Sequence, residues 1–242
     1  IRENDRVIGG INEESASSAK EFYSKFCIGK FNITDTKTAE LVKLTENSFR
    51  DVNIAFANEL SIICSNLGIN STELIKIANC HPRVNILAPS PGVGGHCIAV
   101  DPWFIVSKFP KESQLIRTAR EVNKKKTLWV IQKINSISSK FEDENNRKPI
   151  IGCFGLTFKP DVDDIRESAA IEIIKSLLEK KLKVICCDPM VKAVEKIRME
   201  PANYLIENCD IFIFLVAHTQ FKSLNLHKSK VLDFCGITYQ KK

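Results

Sequence analysis

IIGCF at Ile150–Phe154 begins the part of the sequence that decides the fold. This short apolar run predicts a strand that is buried on both faces. Helical and apolar segments then alternate, and they predict the helix Ser168–Leu178, the strand Lys183–Cys187, the helix Val191–Arg198, the strand Ile211–Val216 and the strand Lys230–Phe234. Such alternation is typical of βαβ units with a parallel sheet, whose ligand binds at the carboxyl ends of the strands.

The chain before Pro149 has a different periodicity, because its apolar residues recur every three or four positions. This spacing predicts mostly helical structure. The predicted elements are a strand edge at Arg6–Gly10, the helix Thr38–Leu67, the helix Thr72–Asn79 capped by Ser71, the helix Ser113–Ser139 and a polar linker at Glu142–Lys148. The predicted fold class is therefore α/β, with a helical domain followed by a Rossmann-like parallel-sheet domain.

The composition is that of an ordinary globular protein and argues against several other classes. Of the 242 residues, 44% are hydrophobic and 26% are charged, which argues against disorder. No apolar run reaches the roughly 20 residues that cross a bilayer, so we expect no membrane partner and a cytoplasmic location. The net charge is +6, but Lys and Arg are scattered among acids, which makes a nucleic-acid-binding module the weakest alternative.

The nine cysteines do not form the CxxC pairs that are typical of zinc sites, so no metal site is predicted. Most lie in apolar runs and are expected to be small, reduced core residues, namely Cys64, Cys153, Cys186, Cys187 and Cys209. Cys97 differs because it follows a loop that is rich in glycine.

The loop before Cys97 contains the motif Gly94-Gly95-His96-Cys97, with Asp101 four residues further on. Glycines let a ligand approach the backbone closely, and a thiol among backbone amides, beside a histidine and near lysines, is favoured to ionise and attack an electrophilic carbon. Two other interpretations stay open: a phosphate-binding loop, and a glycine-rich turn with an incidental buried cysteine.

Lys43 and Asn47 are spaced four residues apart within the first predicted helix. This spacing places an ammonium and an amide on one helix face, where the pair could hold an oxyanion. The alternative is that both are ordinary solvated surface residues, and the helical spacing does not decide between the two.

Three motifs in this order resemble the UDP-glucose/GDP-mannose dehydrogenase family, and the resemblance covers nearly the whole chain. The helix Glu40–Glu59 is similar to the family's central-domain helix, and the Cys97 loop matches its catalytic cysteine motif. Phe154–Pro160 together with Asp164–Ser168 matches the family's UDP-binding motif. His96 before the cysteine and Val100 before Asp101 resemble the branch that oxidises N-acetylmannosamine rather than glucose.

The resemblance implies an NAD-dependent, four-electron oxidation of the sugar's primary alcohol in UDP-N-acetyl-D-mannosamine, which would supply uronic acid for bacterial surface polysaccharides. Cys97 would form a thiohemiacetal and then a thioester, Lys43 and Asn47 would stabilise oxyanions, and Asp101 would assist water or proton transfer. The substrate-binding residues would be Lys159, Arg83, Arg166, Gly94, Gly95 and His96.

The family's domain plan implies three parts in this chain: residues 1–36 as a remnant of the NAD-binding domain, 37–148 as a helical, dimer-forming central domain, and 149–242 as the UDP-binding domain. NAD is the implied cofactor, a UDP-sugar the implied substrate and a homodimer the implied assembly. No dinucleotide fingerprint is present, so no cofactor-binding residue is predicted, and we expect the 242-residue fragment by itself not to oxidise UDP-sugars. The alternatives are a UDP-glucose 6-dehydrogenase, and a non-catalytic remnant that binds nucleotide-sugars or dimerises.

Overall fold

Residues 2–226 and 230–237 are described by a computed structural model of the chain. They fall into two units, Ile1–Phe49 and Arg50–Lys242, and the division lies within one long helix. The elements of the first unit are β1 (Arg6–Gly10), α1 (Glu13–Ser24), β2 (Phe31–Asp35) and the beginning of α2 (Thr36–Leu67). The strand predicted at Arg6–Gly10 is confirmed.

The first unit is a small βαβ arrangement, in which β1 pairs in parallel with β2 and Ile8 lies opposite Ile33. Helix α1 connects the two strands. It begins at a capping box, because the Asn12 side chain accepts a hydrogen bond from the Ser15 N–H at 2.8 Å and the Asn12 N–H donates to the Ser15 hydroxyl. Capping of this kind fixes the turn that leads from β1 into the helix.

The helices that belong to the second unit are the rest of α2, α3 (Ser71–Ala78), α4 (Asp101–Lys108) and α5 (Gln114–Asn145). Helix α3 is capped by Asn70, so the prediction of Ser71 as the cap was wrong by one residue. The predicted linker at Glu142–Lys148 was also wrong in part, because α5 continues to Asn145 and ends at Asn146, which has a positive φ of 52°. Charged residues are good helix formers even without an apolar face, which explains the extension.

A buried polar network joins α2 and α5 to the loop that leads toward Cys97. The Asp51 carboxylate pairs with the Arg120 guanidinium at 2.5 Å and accepts a hydrogen bond from the Asn123 amide at 2.8 Å. The Asn123 carbonyl in turn accepts from the Asn58 amide at 2.9 Å, and the Asn58 carbonyl accepts from the Ser90 N–H at 2.9 Å. This continuous chain of bonds ties the position of the loop to the packing of the two helices.

Lys126 of α5 is a second buried polar group, with only 1% of its surface exposed. Its ammonium donates to the Ser61 hydroxyl at 2.6 Å and lies 4.2 Å from the centroid of the Trp129 ring. Burial lowers the pKa of this ammonium from 10.5 to about 8. The folded protein therefore binds fewer protons than the unfolded chain between about pH 8 and 10.5.

The pKa of Lys126 predicts a pH-dependent stability difference between the protein and its Lys126→Met variant. Because the folded pKa lies below the unfolded one, the contribution of Lys126 to stability rises as the pH rises. We expect the free energy of unfolding of the wild type minus that of the variant to increase by about 2–3 kcal/mol from pH 7 to pH 10. Urea unfolding of both proteins at several pH values measures this difference. The buried thiols also make stability depend on pH, but their contribution is the same in both proteins and drops out of the difference. A constant difference would contradict the prediction.

The sheet of the second unit consists of β3 (Ile150–Phe154), β4 (Lys183–Cys187), β5 (Ile211–Phe214) and β6 (Lys230–Asp233). All neighbouring strands are parallel, and their order is β4-β3-β5-β6. The chain moves from β3 to β4 on one side and then places β5 on the other side of β3. The carboxyl ends of β3 and β5 therefore form the topological switch point at which open α/β sheets bind ligands.

Both faces of this sheet are covered, as a parallel sheet requires. Part of α5 and α6 (Ala169–Glu179) cover one face, where Ile134, Ile151 and Ile174 are fully buried. The other face is covered by α7 (Ala202–Asn208) and a 3₁₀ turn at Thr219–Ser223. The five cysteines that were predicted to be core residues are all buried.

One local prediction in this unit was wrong. Val191–Arg198 forms turns instead of a helix, because Cys186 exchanges backbone hydrogen bonds with Arg198 and Glu200 and so holds this segment against β4. Helix α6 is capped by Ser168, whose hydroxyl accepts from the Ile171 N–H. The strands predicted in this unit are confirmed to within two residues at their ends.

Candidate active site

A cleft of about 310 Å³ lies at the switch point of the sheet. Its walls come from three segments: residues 87–94 of the glycine-rich loop, residues 157–160 after β3, and residues 215–217 after β5. The other lining residues are Arg50 and Ile54 of α2, Ile98, Ala169, Ala170 and Cys235. The lining is mainly apolar, with backbone amides and a few polar side chains, which is typical of a site for a small organic ligand.

The glycine-rich loop touches the segment before α6 so closely that side chains are excluded. The Gly95 N–H donates to the Arg166 carbonyl at 3.3 Å, and a Cβ at Gly94 would collide with the Glu167 carbonyl oxygen. Gly95 has a positive φ of 82°, and a Cβ there would lie 2.9 Å from the Phe158 ring. Both positions therefore require glycine, and the loop and the UDP-binding motif meet through their backbones.

Cys97 follows these glycines and is exposed. Its carbonyl accepts hydrogen bonds from the Val100 N–H at 3.0 Å and from the Asp101 N–H at 2.8 Å, which form the turn before α4. Asp101 is the first residue of α4, and Pro102 follows it in the first turn, where a missing N–H costs nothing. The thiol and the Asp101 carboxylate are thus carried on one short, hydrogen-bonded turn.

Arg166 is the charged group that the structure brings to Cys97. A bidentate contact to Asp164, with N···O distances of 2.7 and 3.0 Å, raises the pKa of the Arg166 guanidinium, and the charge of Cys97 raises it further. The same contact lowers the pKa of the Asp164 carboxyl to about 2. Cys97 and Arg166, which are distant in sequence, are therefore electrostatic neighbours. Neither is among the described residues that line the cleft, although Gly94 and Ile98 on the two sides of Cys97 are.

Lys159 lies in the segment after β3 and lines the cleft, with its ammonium 5.6 Å from the centroid of the Phe158 ring. Its side chain is exposed, so it is free to meet a ligand from solvent. The position agrees with the rule that parallel sheets present ligand-binding residues where their strands end.

A buried histidine network behind Lys159 was missed by the sequence analysis. The ring of His218 lies 3.0 Å from the Thr157 hydroxyl and 3.1 Å from the Asp188 carboxylate, and its Nδ1 accepts from the Asp161 N–H at 3.0 Å. Burial raises the pKa of the Asp188 carboxyl, but hydrogen bonds from His218 and from the Leu156 N–H outweigh burial and lower it. The signal was an Asp and a His placed just after two buried strands, β4 and β5.

The remaining predicted site residues lie elsewhere. Lys43 and Asn47 are one turn apart on the part of α2 in the first unit, where Lys43 pairs with Glu46 at 3.7 Å and Asn47 is buried. In the second unit, Arg83 is exposed in a turn and His96 is exposed beside Cys97, and neither is among the described residues that line the cleft. The roles of these four residues stay predictions.

The arrangement of the two motif segments agrees with two family models. Residues 37–125 match the central domain of the UDP-glucose/GDP-mannose dehydrogenase family, and residues 152–238 match the UDP binding domain of the same family. The chain belongs to this family. The resemblance inferred from the motifs is thereby confirmed, and so is the α/β fold class with its helical and Rossmann-like parts.

Curated relatives of this dehydrogenase family match almost all of the chain. An NDP-N-acetyl-D-galactosaminuronic acid dehydrogenase of Ralstonia nicotianae is 47% identical, over 97% of this chain and 56% of the relative. A UDP-N-acetyl-D-mannosamine dehydrogenase of Escherichia coli is 46% identical, over 97% of this chain and 59% of the relative. The chain thus spans somewhat more than half the length of the relatives it matches.

Solved structures of the family share the fold. The UDP-D-ManNAc dehydrogenase of Pyrococcus horikoshii matches with a TM-score of 0.84 at 34% identity, covering 98% of this chain and 57% of that one. The UDP-N-acetyl-mannosamine dehydrogenase of Staphylococcus aureus matches with a TM-score of 0.83 at 39% identity, covering 98% and 56%.

Neither a membrane-spanning helix nor a metal-binding cluster is found among the described residues. None of the helices in residues 2–226 and 230–237 combines the length and apolar character that crossing a bilayer requires. In the same residues, no group of three or more His, Cys, Asp or Glu side chains is placed to hold a metal ion.

The described residues of the first unit do not fit NAD. A dinucleotide site needs an open glycine turn between a strand and a helix, where the backbone meets the pyrophosphate. Gly9 and Gly10 are the last residues of β1 before the turn into α1, but a Cβ at Gly10 would lie 2.6 Å from the Asn12 carbonyl and 2.7 Å from Ala16. The space beside both glycines is occupied by other residues of the first unit, so no room is left there for a pyrophosphate.

Proposed function

We propose that this chain supplies the nucleotide-sugar site and the catalytic thiol for the oxidation of UDP-N-acetyl-D-mannosamine to the corresponding uronic acid. The observation that carries the proposal is the meeting of two motifs at one cleft. The loop of Cys97 donates a backbone hydrogen bond to the segment of Arg166, and both border the switch point of the parallel sheet. A nucleophile beside a ligand-sized cleft is the arrangement that covalent catalysis requires.

In this proposal, the UDP portion lies in the cleft and the sugar points toward Cys97. Lys159 would pair with the diphosphate, and the backbone of Gly94 and Gly95 would allow close approach of the ligand. Arg166 would add positive charge near the thiol, and the exposed side chains of Arg83 and His96 would contact the substrate from outside the cleft. The His218 network behind Lys159 would hold this wall in place.

The proposed chemistry begins once the sugar alcohol has been oxidised to an aldehyde. The Cys97 sulfur adds to the aldehyde carbon and gives a thiohemiacetal, and removal of a second hydride and a proton gives a thioester. Water then cleaves the carbon–sulfur bond, which yields the carboxylate and restores the thiol. Asp101 would take the proton from this water, and Lys43 and Asn47 would stabilise the oxyanions.

The two hydrides need an acceptor, which we propose to be NAD⁺, bound outside the described part of this chain. The 242 residues would therefore act together with an NAD-binding domain. We also propose that the protein is a homodimer in the cytoplasm and that its product is used in surface polysaccharide synthesis. The 242-residue chain by itself is expected not to produce NADH from UDP-N-acetylmannosamine.

The names of the relatives make N-acetylated sugars the first substrates to test. One of the two similar curated relatives is named for an N-acetyl-D-galactosamine-derived sugar and the other for UDP-N-acetyl-D-mannosamine. His96 directly before Cys97 and Val100 directly before Asp101 support the mannosamine sugar over glucose.

The first test is the binding of UDP to the 242-residue chain by isothermal titration calorimetry. We expect saturable binding, and we expect Lys159→Ala to weaken it by about 10- to 100-fold, because a charge-assisted contact to phosphate contributes roughly 1.5–3 kcal/mol. Lys183→Ala is the matched control, since Lys183 is an exposed lysine at the opposite, amino-terminal end of β4. Absence of UDP binding, or equal effects of the two substitutions, would refute the nucleotide site.

A further inference from the structure

A second cavity, of about 260 Å³, lies in the second unit and is separate from the cleft except for the shared residue Pro89. Its walls come from Ser61 and Ser65 of α2, from Lys126, Trp129 and Lys133 of α5, from residues 69–72 and from the end of β6. None of the motifs that resemble the dehydrogenase family uses these side chains. Hydroxyls and ammonium groups dominate its polar lining.

Two lysines of α5 converge on this cavity, because positions 126 and 133 are two helical turns apart on one face. The buried Lys126 ammonium donates to Ser61, as described above. The Lys133 ammonium donates to the Ser65 hydroxyl at 3.2 Å and lies 5.9 Å from the centroid of the Trp129 ring. Both ammonium groups therefore lie near the same indole ring, and each donates a hydrogen bond to a serine hydroxyl.

Neither lysine has a carboxylate partner in the part of the chain that the structure describes. The salt bridges there involve other basic residues, and the bonds of Lys126 and Lys133 are to neutral hydroxyls. A buried cation normally has a counter-ion, because the uncompensated charge is costly to remove from water. Lys126, which is 1% exposed, departs from this rule.

The one acidic residue of the cavity wall, Asp233, faces its own turn. Its carboxylate accepts from the Cys235 N–H at 3.0 Å and from the Gly236 N–H at 2.8 Å. The Asn70 side chain likewise accepts from the Thr72 and Glu73 N–H groups at the start of α3. The Ser61 hydroxyl already donates to the Asn58 carbonyl at 2.7 Å. The groups that remain to donate hydrogen bonds to a ligand are therefore the two ammonium groups and the Ser65 hydroxyl.

We propose that this cavity binds a phosphate group, held by Lys126, Lys133 and the hydroxyl of Ser65. A tetrahedral dianion matches a site with two positive charges and several donors. The cavity exceeds the size of one phosphate, so both inorganic phosphate and a small phosphomonoester fit the chemistry. Occupancy would supply the missing counter-ion of Lys126 and would join α2 to α5 beside β6.

The test is calorimetric titration of the 242-residue chain with sodium phosphate at constant ionic strength. We expect saturable binding that Lys133→Met and Lys126→Met each weaken by at least about tenfold. Lys125→Met is the matched control, because it removes an exposed lysine next to Lys126, and Lys159→Ala removes the proposed UDP contact. Both of these variants should bind phosphate as the wild type does.

Ser65→Ala keeps the proposal testable if Lys126→Met fails to fold, because it removes a donor without removing a charge. It should weaken phosphate binding while circular dichroism stays unchanged. A repeat of the titration with glycerol phosphate distinguishes the two candidate ligands. If glycerol phosphate binds more tightly than inorganic phosphate, the ligand is a phosphomonoester, and if it binds more weakly, the ligand is the free ion. The proposal is overturned if the wild type shows no saturable binding, or if Lys125→Met or Lys159→Ala weakens it as much as Lys133→Met.

Discussion

Replacing Asp51 with Asn is expected to lower the free energy of unfolding by about 3–5 kcal/mol, the largest stability effect we predict for this chain. Asp51 is fully buried and faces Arg120, whose side chain is 4% exposed. The substitution would leave a guanidinium in the interior without its counter-charge, and it would also weaken the bond to Asn123. Urea unfolding followed by circular dichroism measures the loss.

The exposed pair Lys140–Glu144 on α5 provides the control, because its two ions are 3.7 Å apart but mostly solvated. Glu144→Gln should change the free energy of unfolding by less than about 0.5 kcal/mol. Replacing both buried partners, as Asp51→Leu with Arg120→Met, should recover much of the stability that Asp51→Asn loses, since no lone charge remains. The prediction fails if Asp51→Asn is as mild as Glu144→Gln.

Cys97→Ser is expected to reduce formation of the uronic acid from UDP-N-acetylmannosamine by at least about a thousandfold when the chain is joined to the proposed NAD-binding domain. A serine hydroxyl is a far weaker nucleophile than a thiolate near neutral pH, so the aldehyde would no longer be captured. Initial rates at saturating substrate measure the effect. Cys80→Ser is the matched control, because Cys80 is the other cysteine that the structure describes as exposed.

The thiol variant also separates catalysis from binding. UDP should bind to Cys97→Ser with unchanged affinity, because the nucleotide is proposed to contact Lys159 and the glycine backbone instead of the sulfur. Turnover by Cys97→Ser within tenfold of the wild type would remove Cys97 from the mechanism. Loss of UDP binding would mean that the substitution had disturbed the loop, and Arg166 would then need to be tested by itself.

Much of the sheet and of the cleft can be predicted from the sequence, because strong local patterns determine them. Ile150–Phe154 and Ile211–Phe214 are continuous apolar runs, and only a doubly covered parallel strand buries such a run along its whole length. The glycines before Cys97 likewise indicate a backbone in close contact with another segment. The sequence does not show that this segment is the one carrying Arg166, because that contact is made through the backbone.

The errors have a common physical cause, which is that tertiary contacts overrode local preference. Val191–Arg198 has a helical pattern, but two backbone bonds from Cys186 hold its end beside β4. His218 and Asp188 lie far apart in sequence and meet only after β4 and β5 have paired with β3. Side-chain partnerships of this kind depend on strand order, which periodicity does not encode.

The backbone bond from Gly95 to Arg166 and the contact that excludes a side chain at Gly94 are made entirely by the protein's own backbone. An incoming sugar nucleotide would therefore meet a wall whose shape is already set, and few backbone torsions would have to be frozen for it to dock. The same close contact restricts evolution, because a substitution that moves the backbone of the loop requires a matching change in the segment that caps α6.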